Sequence, residues 1–138
     1  MSRLILMTIC LLLCSCSSHT LEDYREEGEG LTHALLETFQ SIHTKEQLIA
    51  YLPRLQNLFD QLAEVMLAAE TLKQLHPELE DKEVAFQSEL SDQLCVELNR
   101  LYQMESGRAL IEKSQETALQ RLQTYTTSGQ IVNVPQTD

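Results

Sequence analysis

The sequence predicts an all-α protein: a small antiparallel bundle of three to four helices after an N-terminal signal peptide and a short tether. Residues 16–138 hold 20 Leu and 8 Ala against 5 Val, 4 Ile and 7 Phe or Tyr. Leu and Ala favour helices, whereas β-branched and aromatic residues favour strands. Apolar residues recur every three or four positions, as they do on an amphipathic helix. No Asn-Gly or Asp-Gly pair, the usual mark of a tight β-hairpin, occurs in the chain.

The first helix is predicted over residues 21–42. Its first ten residues are rich in acids, which suit the positive end of a helix dipole. Gly28 and Gly30 weaken this half of the helix, because glycine costs about 1 kcal/mol relative to alanine. The apolar face then follows at helical spacing: Leu31, Leu35, Phe39 and Ile42.

The second helix is predicted to begin near Lys45, because Thr44-x-x-Gln47 forms a capping box. Its apolar residues follow a heptad seam, and a second line widens the face as bundle helices require. The seam contains Leu48, Leu52, Leu55, Phe59, Leu62, Met66 and Ala69, and the second line contains Tyr51, Leu58, Val65 and Leu72. Its middle, Leu55 to Met66, is predicted to face the other helices, with Gln56, Asp60 and Glu64 on the opposite side.

Proline residues divide the rest of the helical region. Pro53 lies within the second helix and predicts a kink or a short break between two collinear pieces. Pro77 is predicted to end the second helix and open the third, whose first turn contains Glu78, Glu80 and Asp81. The apolar side of that third helix is Phe86, Leu90, Leu94, Leu98 and Leu101.

The fourth helix is predicted to follow a stop at Gly107, with Ser106 as its cap. It carries Leu110, Ile111, Ala118, Leu119, Leu122 and Tyr125. From residue 126 the chain loses its helical period and is predicted to be a flexible C-terminal tail. The predicted organisation is therefore a signal peptide over 1–15, a tether over 16–20, a helical domain over 21–125 and a tail over 126–138.

The N-terminus has the features of a secretory signal peptide. Arg3 supplies a positive start, and residues 4–13 are uncharged and almost wholly apolar. Such a run is too short for a membrane span, which needs about 20 apolar residues. The run ends in Leu13, Cys14, Ser15 and Cys16. This ending resembles the lipobox of bacterial lipoproteins, in which an aliphatic residue, a free position and a small residue precede the modified cysteine.

The resemblance implies how the N-terminus is processed. Cleavage would fall between Ser15 and Cys16, and Cys16 would carry a diacylglyceryl thioether and usually a further acyl chain on its amine. Cys14 fits less well because Leu13 would then occupy the small-residue position, and Cys10 lies inside the apolar run. Ser17 stands where Asp usually marks retention in the inner membrane, so the resemblance implies the outer membrane. Two or three acyl chains make attachment effectively permanent.

Cleavage before Cys16 would leave two cysteines, Cys16 and Cys95. If Cys16 carries lipid, Cys95 has no partner for a disulfide within the chain. In the oxidising periplasm a lone thiol is best buried. The apolar neighbours Leu94 and Val96 favour a buried structural role for Cys95. The alternative is an exposed thiol that pairs with another chain.

The composition and motifs indicate no enzyme, metal site or cofactor. A formal net charge of −11 disfavours nucleic acid and anionic lipid headgroups as partners. His33 and Glu37 lie one turn apart, but a metal site needs three or four ligands. Met66 or Met104 with a histidine as ligands of a b-type haem is a remote alternative to a core role for these methionines. The chain also lacks a Gly-x-Ser-x-Gly nucleophile motif, a phosphate-binding glycine loop and Cys-x-x-Cys-His.

The leading functional hypothesis is a lipid-anchored outer-membrane protein whose helical domain contacts another envelope protein. The domain would be held to the membrane by acyl chains on Cys16 and face the periplasm or the exterior. The alternative is a periplasmic binding or chaperone-like module that holds an apolar ligand or client between its helices. An exposed apolar groove would favour protein contact, and an enclosed cavity would favour a ligand.

Overall fold

The protein is an all-α bundle of four helices in a computed structural model that describes residues 19–79 and 88–131. The helices are α1 (Leu21–Gln40), α2 (Lys45–Leu75), α3 (Ser88–Tyr102) and α4 (Gly107–Ile131). A short 3₁₀ turn, Pro77–Leu79, follows α2. The predicted fold class is confirmed. The predicted lipobox, and Phe86 with the first acidic residues of the third helix, lie outside the described residues.

The four helices form a ring in which α1 contacts α2, α2 contacts α4, α4 contacts α3, and α3 contacts α1. Short turns make α1 antiparallel to α2, whereas α2 and α4 run parallel to each other. Two ion pairs show the parallel direction, because Lys45 pairs with Glu105 just before α4 and Glu64 pairs with Arg121 farther along both helices. Helices α2 and α3 therefore occupy diagonally opposite positions in the ring.

The core lies in the half of the bundle where the two short turns meet. Its largest side chains that are almost completely buried come from every helix and from the first turn: Phe39, Ile42, Leu48, Leu55, Leu101 and Ile111. The rings of Phe39 and Phe59 lie 6.4 Å apart and tilted, which is a favourable aromatic geometry. Most of the predicted apolar faces of α1 and α2 enter this cluster.

Capping boxes begin the first two helices. Thr44 accepts from the backbone N–H of Gln47, and the Gln47 side chain accepts from the backbone N–H of Thr44, as predicted. Thr20 forms the same box with Asp23, and its backbone N–H lies 2.6 Å from Asp23 Oδ2. Hydrogen bonds from the backbone and side chain of Thr20 lower the pKa of Asp23. Both helices therefore begin within one residue of where the sequence places them.

Pro53 does not break α2, which is continuous from Lys45 to Leu75. Proline removes the hydrogen bond that would reach the carbonyl of Ile49, four residues earlier. Both side chains are exposed, so the carbonyl that loses its partner lies on the solvent side of the helix. Of the two predicted outcomes, a kink or a short break, the short break is therefore wrong.

The turn between α3 and α4 differs from the prediction. Gly107 does not follow the end of a helix as a stop; it is the first residue of α4 and is buried. A Cβ atom there would lie 1.9 Å from the backbone oxygen of Leu101, so only glycine fits. Ser106 directly precedes the helix as expected, and its carbonyl accepts from Leu110, but its φ is +61°. The close approach of two helix ends selects this glycine.

Arg100 joins α3 to the C-terminal end of α1. Its guanidinium donates to the backbone oxygens of Ile42 and Phe39 at 2.8 and 2.7 Å. Its Nε donates to Glu97 at 2.8 Å, which orients the group. The last turn of α1 contains no basic residue of its own. Arg100 therefore supplies the cation that a helix C-terminus favours, and it adds a charged donor to two carbonyls at that end.

The C-terminal boundary of the domain is later than predicted. Helix α4 continues through Thr126 to Ile131, so the predicted start of a flexible tail at residue 126 is wrong. Thr124, Thr126 and Thr127 each donate their hydroxyl to the carbonyl four residues earlier. These bonds give the threonine hydroxyls partners within the helix, so the stretch accommodates polar side chains without contacts from another element.

Candidate functional site

The residues that carry the lipobox resemblance, Leu13, Ser15 and Cys16, lie outside the described residues. The structure therefore leaves the lipidation prediction as a prediction. None of the described helices combines the length and the apolar character needed to cross a membrane.

The other residues weighed from sequence are scattered over the bundle. His33 lies beside Glu29, with Nε2 3.9 Å from Oε1, and the exposed Glu37 lies one turn on. Met104 packs against the core, whereas Met66 is 52% exposed. Within the described ranges, no three His, Cys, Asp or Glu side chains are grouped so that they could hold a metal ion.

Cys95 is exposed, so the prediction of a buried structural thiol is wrong. The apolar neighbours of Cys95 in the sequence do not indicate burial, because Val96 is itself 65% exposed. The inward face of α3 contains the buried Leu90 and Leu101 and the half-buried Leu94. A residue directly after Leu94 is rotated by about 100° away from that face.

A groove with apolar side chains lies between the C-terminal halves of α2 and α4. We call it the α2–α4 groove, and it has an open volume of about 650 Å³. Met66 and Leu67 of α2 and Leu122 and Tyr125 of α4 supply its apolar side chains. Glu70 and Gln74 continue the α2 side, and the groove extends over about 12 Å, or two helical turns.

The packing of α2 against α4 changes along the helix pair. Below the groove, the small residues Ala63 and Ala118 are buried, and Ser114 is buried with its hydroxyl donating to the carbonyl of Ile111. Small side chains allow two helices to approach closely. Farther along both helices, the larger side chains of Met66 and Leu122 line the open groove.

The structure places Met66 and Leu119 differently from the sequence prediction, which put both on apolar faces. Met66 was expected to face the other helices, but it is half-exposed in the α2–α4 groove. Leu119 was expected on the apolar face of the fourth helix and is 56% exposed. Asp60 differs in the opposite direction, since it is half-buried and its Oδ1 has no hydrogen-bond partner among the described residues.

The polar groups of the groove come from Glu70 and Tyr125. Glu70 is exposed and is the acidic residue of the groove lining. The Tyr125 hydroxyl is enclosed and has no hydrogen-bond partner within the described part of the chain. Buried hydroxyls usually have a partner. The groove thus combines an apolar surface, one carboxylate and one unpaired hydroxyl.

Sequence reasoning did not identify the groove. Leu67 and Glu70 belong to neither predicted apolar line of α2, and Gly129 fell in the predicted tail. The sequence offered one relevant indication: Leu67 adjoins the heptad residue Met66, so three apolar positions occur together at Val65 to Leu67.

Comparisons of the chain with protein-family models, with curated proteins and with solved structures found no match.

Proposed function

We propose that this chain is a lipid-anchored protein of the bacterial envelope whose helical bundle is a protein-interaction domain. The observation that carries the interaction half of the proposal is the open α2–α4 groove, with Met66 52% exposed among apolar neighbours. Partners commonly bury an amphipathic helix in such a groove. The α2–α4 groove is open rather than enclosed, which favours protein contact over the alternative of a ligand-binding module.

The anchor half of the proposal rests on residues 1–16. A positive start, a short apolar run and the sequence Leu13 to Cys16 are the features by which lipoproteins resemble one another. The described domain begins at α1, five residues after Cys16, so the tether is short. A domain held this close to the membrane meets partners that are themselves at the membrane surface.

Metabolic labelling with an alkyne fatty acid tests the anchor. The wild-type chain is expected to take up label, and Cys16→Ala is expected to abolish it. Cys14→Ala and Cys95→Ala are matched controls that should keep the label. Labelling that persists in Cys16→Ala would contradict the assignment of the lipidated residue.

Chemical crosslinking in intact cells, followed by mass spectrometry, tests the interaction. The expected result is a covalent complex between this chain and a different envelope protein. A chain that remains uncrosslinked at every accessible lysine, or that joins only membrane lipid, would contradict a role in protein contact.

A further inference from the structure

We infer that the α2–α4 groove binds a cationic amphipathic helix of a partner protein; this inference rests on the proposed interaction function. The first reason is size. The groove runs for about two helical turns, which accommodates two apolar side chains spaced three or four residues apart on a partner helix. Met66 suits such a contact, because its flexible side chain adapts to the shape of what it meets.

The second reason is the charge of the half of the bundle that contains the groove. This half consists of residues 21–30, 64–79 and 117–131, and Gly28 packs toward Val65 within it. It contains eight acidic and three basic residues. Two of the bases are engaged, since Arg25 pairs with Glu22 and Arg121 pairs with Glu64.

The surroundings of the groove are therefore negative. Glu70 is its charged lining residue, and Lys73 is the basic residue of this half for which the described structure shows no ion pair. Charges within about one Debye length of Glu70, about 8 Å at physiological salt, reinforce its potential, whereas more distant ones are largely screened. A Lys or Arg beside the apolar residues of a partner would be attracted to this rim.

The same charges argue against other occupants. A second copy of the chain, with a formal net charge of −11, would bring one acidic rim against another. Anionic lipid headgroups would be repelled for the same reason. A partner helix with apolar residues on one face and basic residues beside them satisfies both the groove and its rim.

Photocrosslinking with the full-length chain in its own cells tests the inference. A benzophenone amino acid replaces Gln74, which lines the groove, or Val96, which lies on the outer side of α3. The expected product from Gln74 is an adduct whose partner peptide has apolar residues three or four apart and Lys or Arg beside them. Glu70→Lys should lower its yield about five-fold, because attraction at the rim becomes repulsion.

Glu112→Lys is the matched control, since Glu112 is an exposed carboxylate of α4 outside the groove lining. It should leave the yield unchanged. The inference is overturned if Gln74 joins only a second copy, a lipid or an uncharged or acidic segment, or if it joins nothing. Equal yields for the two charge reversals would also overturn it.

The Val96 position separates this inference from the proposed function. If Val96 yields a protein adduct and Gln74 does not, the domain contacts proteins through another face, and only the groove assignment fails. If neither position yields an adduct with another protein, the proposed interaction function fails as well.

Discussion

Replacing Gly107 with alanine should damage the fold far more than any other glycine substitution in the described chain. The added Cβ would lie 1.9 Å from the oxygen of Leu101 and 3.3 Å from Cβ of Met104. The first atom is backbone, so no side chain can rotate away. The ends of α3 and α4 would have to separate by about 1 Å, which disturbs the fully buried Leu101 and Ile111.

The cost of this separation should be about 3 kcal/mol, the upper range for overpacking a closely packed site. A typical domain has a stability of about 5–15 kcal/mol, so the loss is a large share. Gly30→Ala is the matched control. A Cβ there meets nothing within 4 Å, and the residue lies inside α1, so alanine should stabilise by about 0.5–1 kcal/mol.

Urea unfolding followed by helical circular dichroism measures both effects. The two alanine variants should move the midpoint in opposite directions, and in a thermal scan Gly107→Ala should melt about 10 °C lower than the wild type. A Gly107→Ala variant as stable as the wild type would refute the close approach of the two helix ends. A destabilised Gly30→Ala would refute the placement of that residue in open space.

Three further predictions follow from burial and hydrogen bonding. Leu55→Ala should lower the free energy of unfolding by roughly 2–5 kcal/mol, because Leu55 is fully buried. Met66→Ala in the same helix should lower it by less than about 1 kcal/mol, because Met66 is half-exposed. Equal losses in urea unfolding would contradict the assigned faces of the helix. Arg100→Met should lower the free energy of unfolding by about 2 kcal/mol, since it leaves two carbonyls without their charged donor. Arg100→Lys should recover part of this loss. An Arg100→Met variant as stable as the wild type would refute the contact. The Cys95 thiol of the folded chain should react with a maleimide as fast as that of the urea-unfolded chain, and strong protection would contradict its exposure.

Local patterns in the sequence predicted much of the helical architecture. The capping box of Thr44 and Gln47 specified the start of α2, because its hydrogen bonds lie within four consecutive residues. The long apolar seam of α2 likewise predicted a bundle helix with Leu48 and Leu55 in the core. Such features depend on neighbours in the chain and need no knowledge of the fold.

The sequence predictions were wrong at residues whose environment is set by parts of the chain that are distant in sequence. Gly107 resembles a helix stop locally, but its role depends on the backbone of Leu101 in the preceding helix. Met66 continues the heptad seam, yet it is exposed because no described helix covers that part of α2 and α4. The contacts of Arg100 with α1 join residues about 60 positions apart, and no local pattern marks them.

If the α2–α4 groove is a protein-contact surface, substitutions at two exposed residues of α2 should have different effects. Comparing these two residues is the most direct test. Met66 is 52% exposed in the groove, and Ile49 is 50% exposed outside it. The measurement is the yield of chemically crosslinked complex in intact cells for Met66→Gln and for Ile49→Gln. Burial of the exposed half of Met66 by a partner is worth about 1 kcal/mol, so Met66→Gln should lower the yield about five-fold. Ile49→Gln should leave it unchanged. An unchanged yield for Met66→Gln, or an equal loss for Ile49→Gln, would contradict the claim.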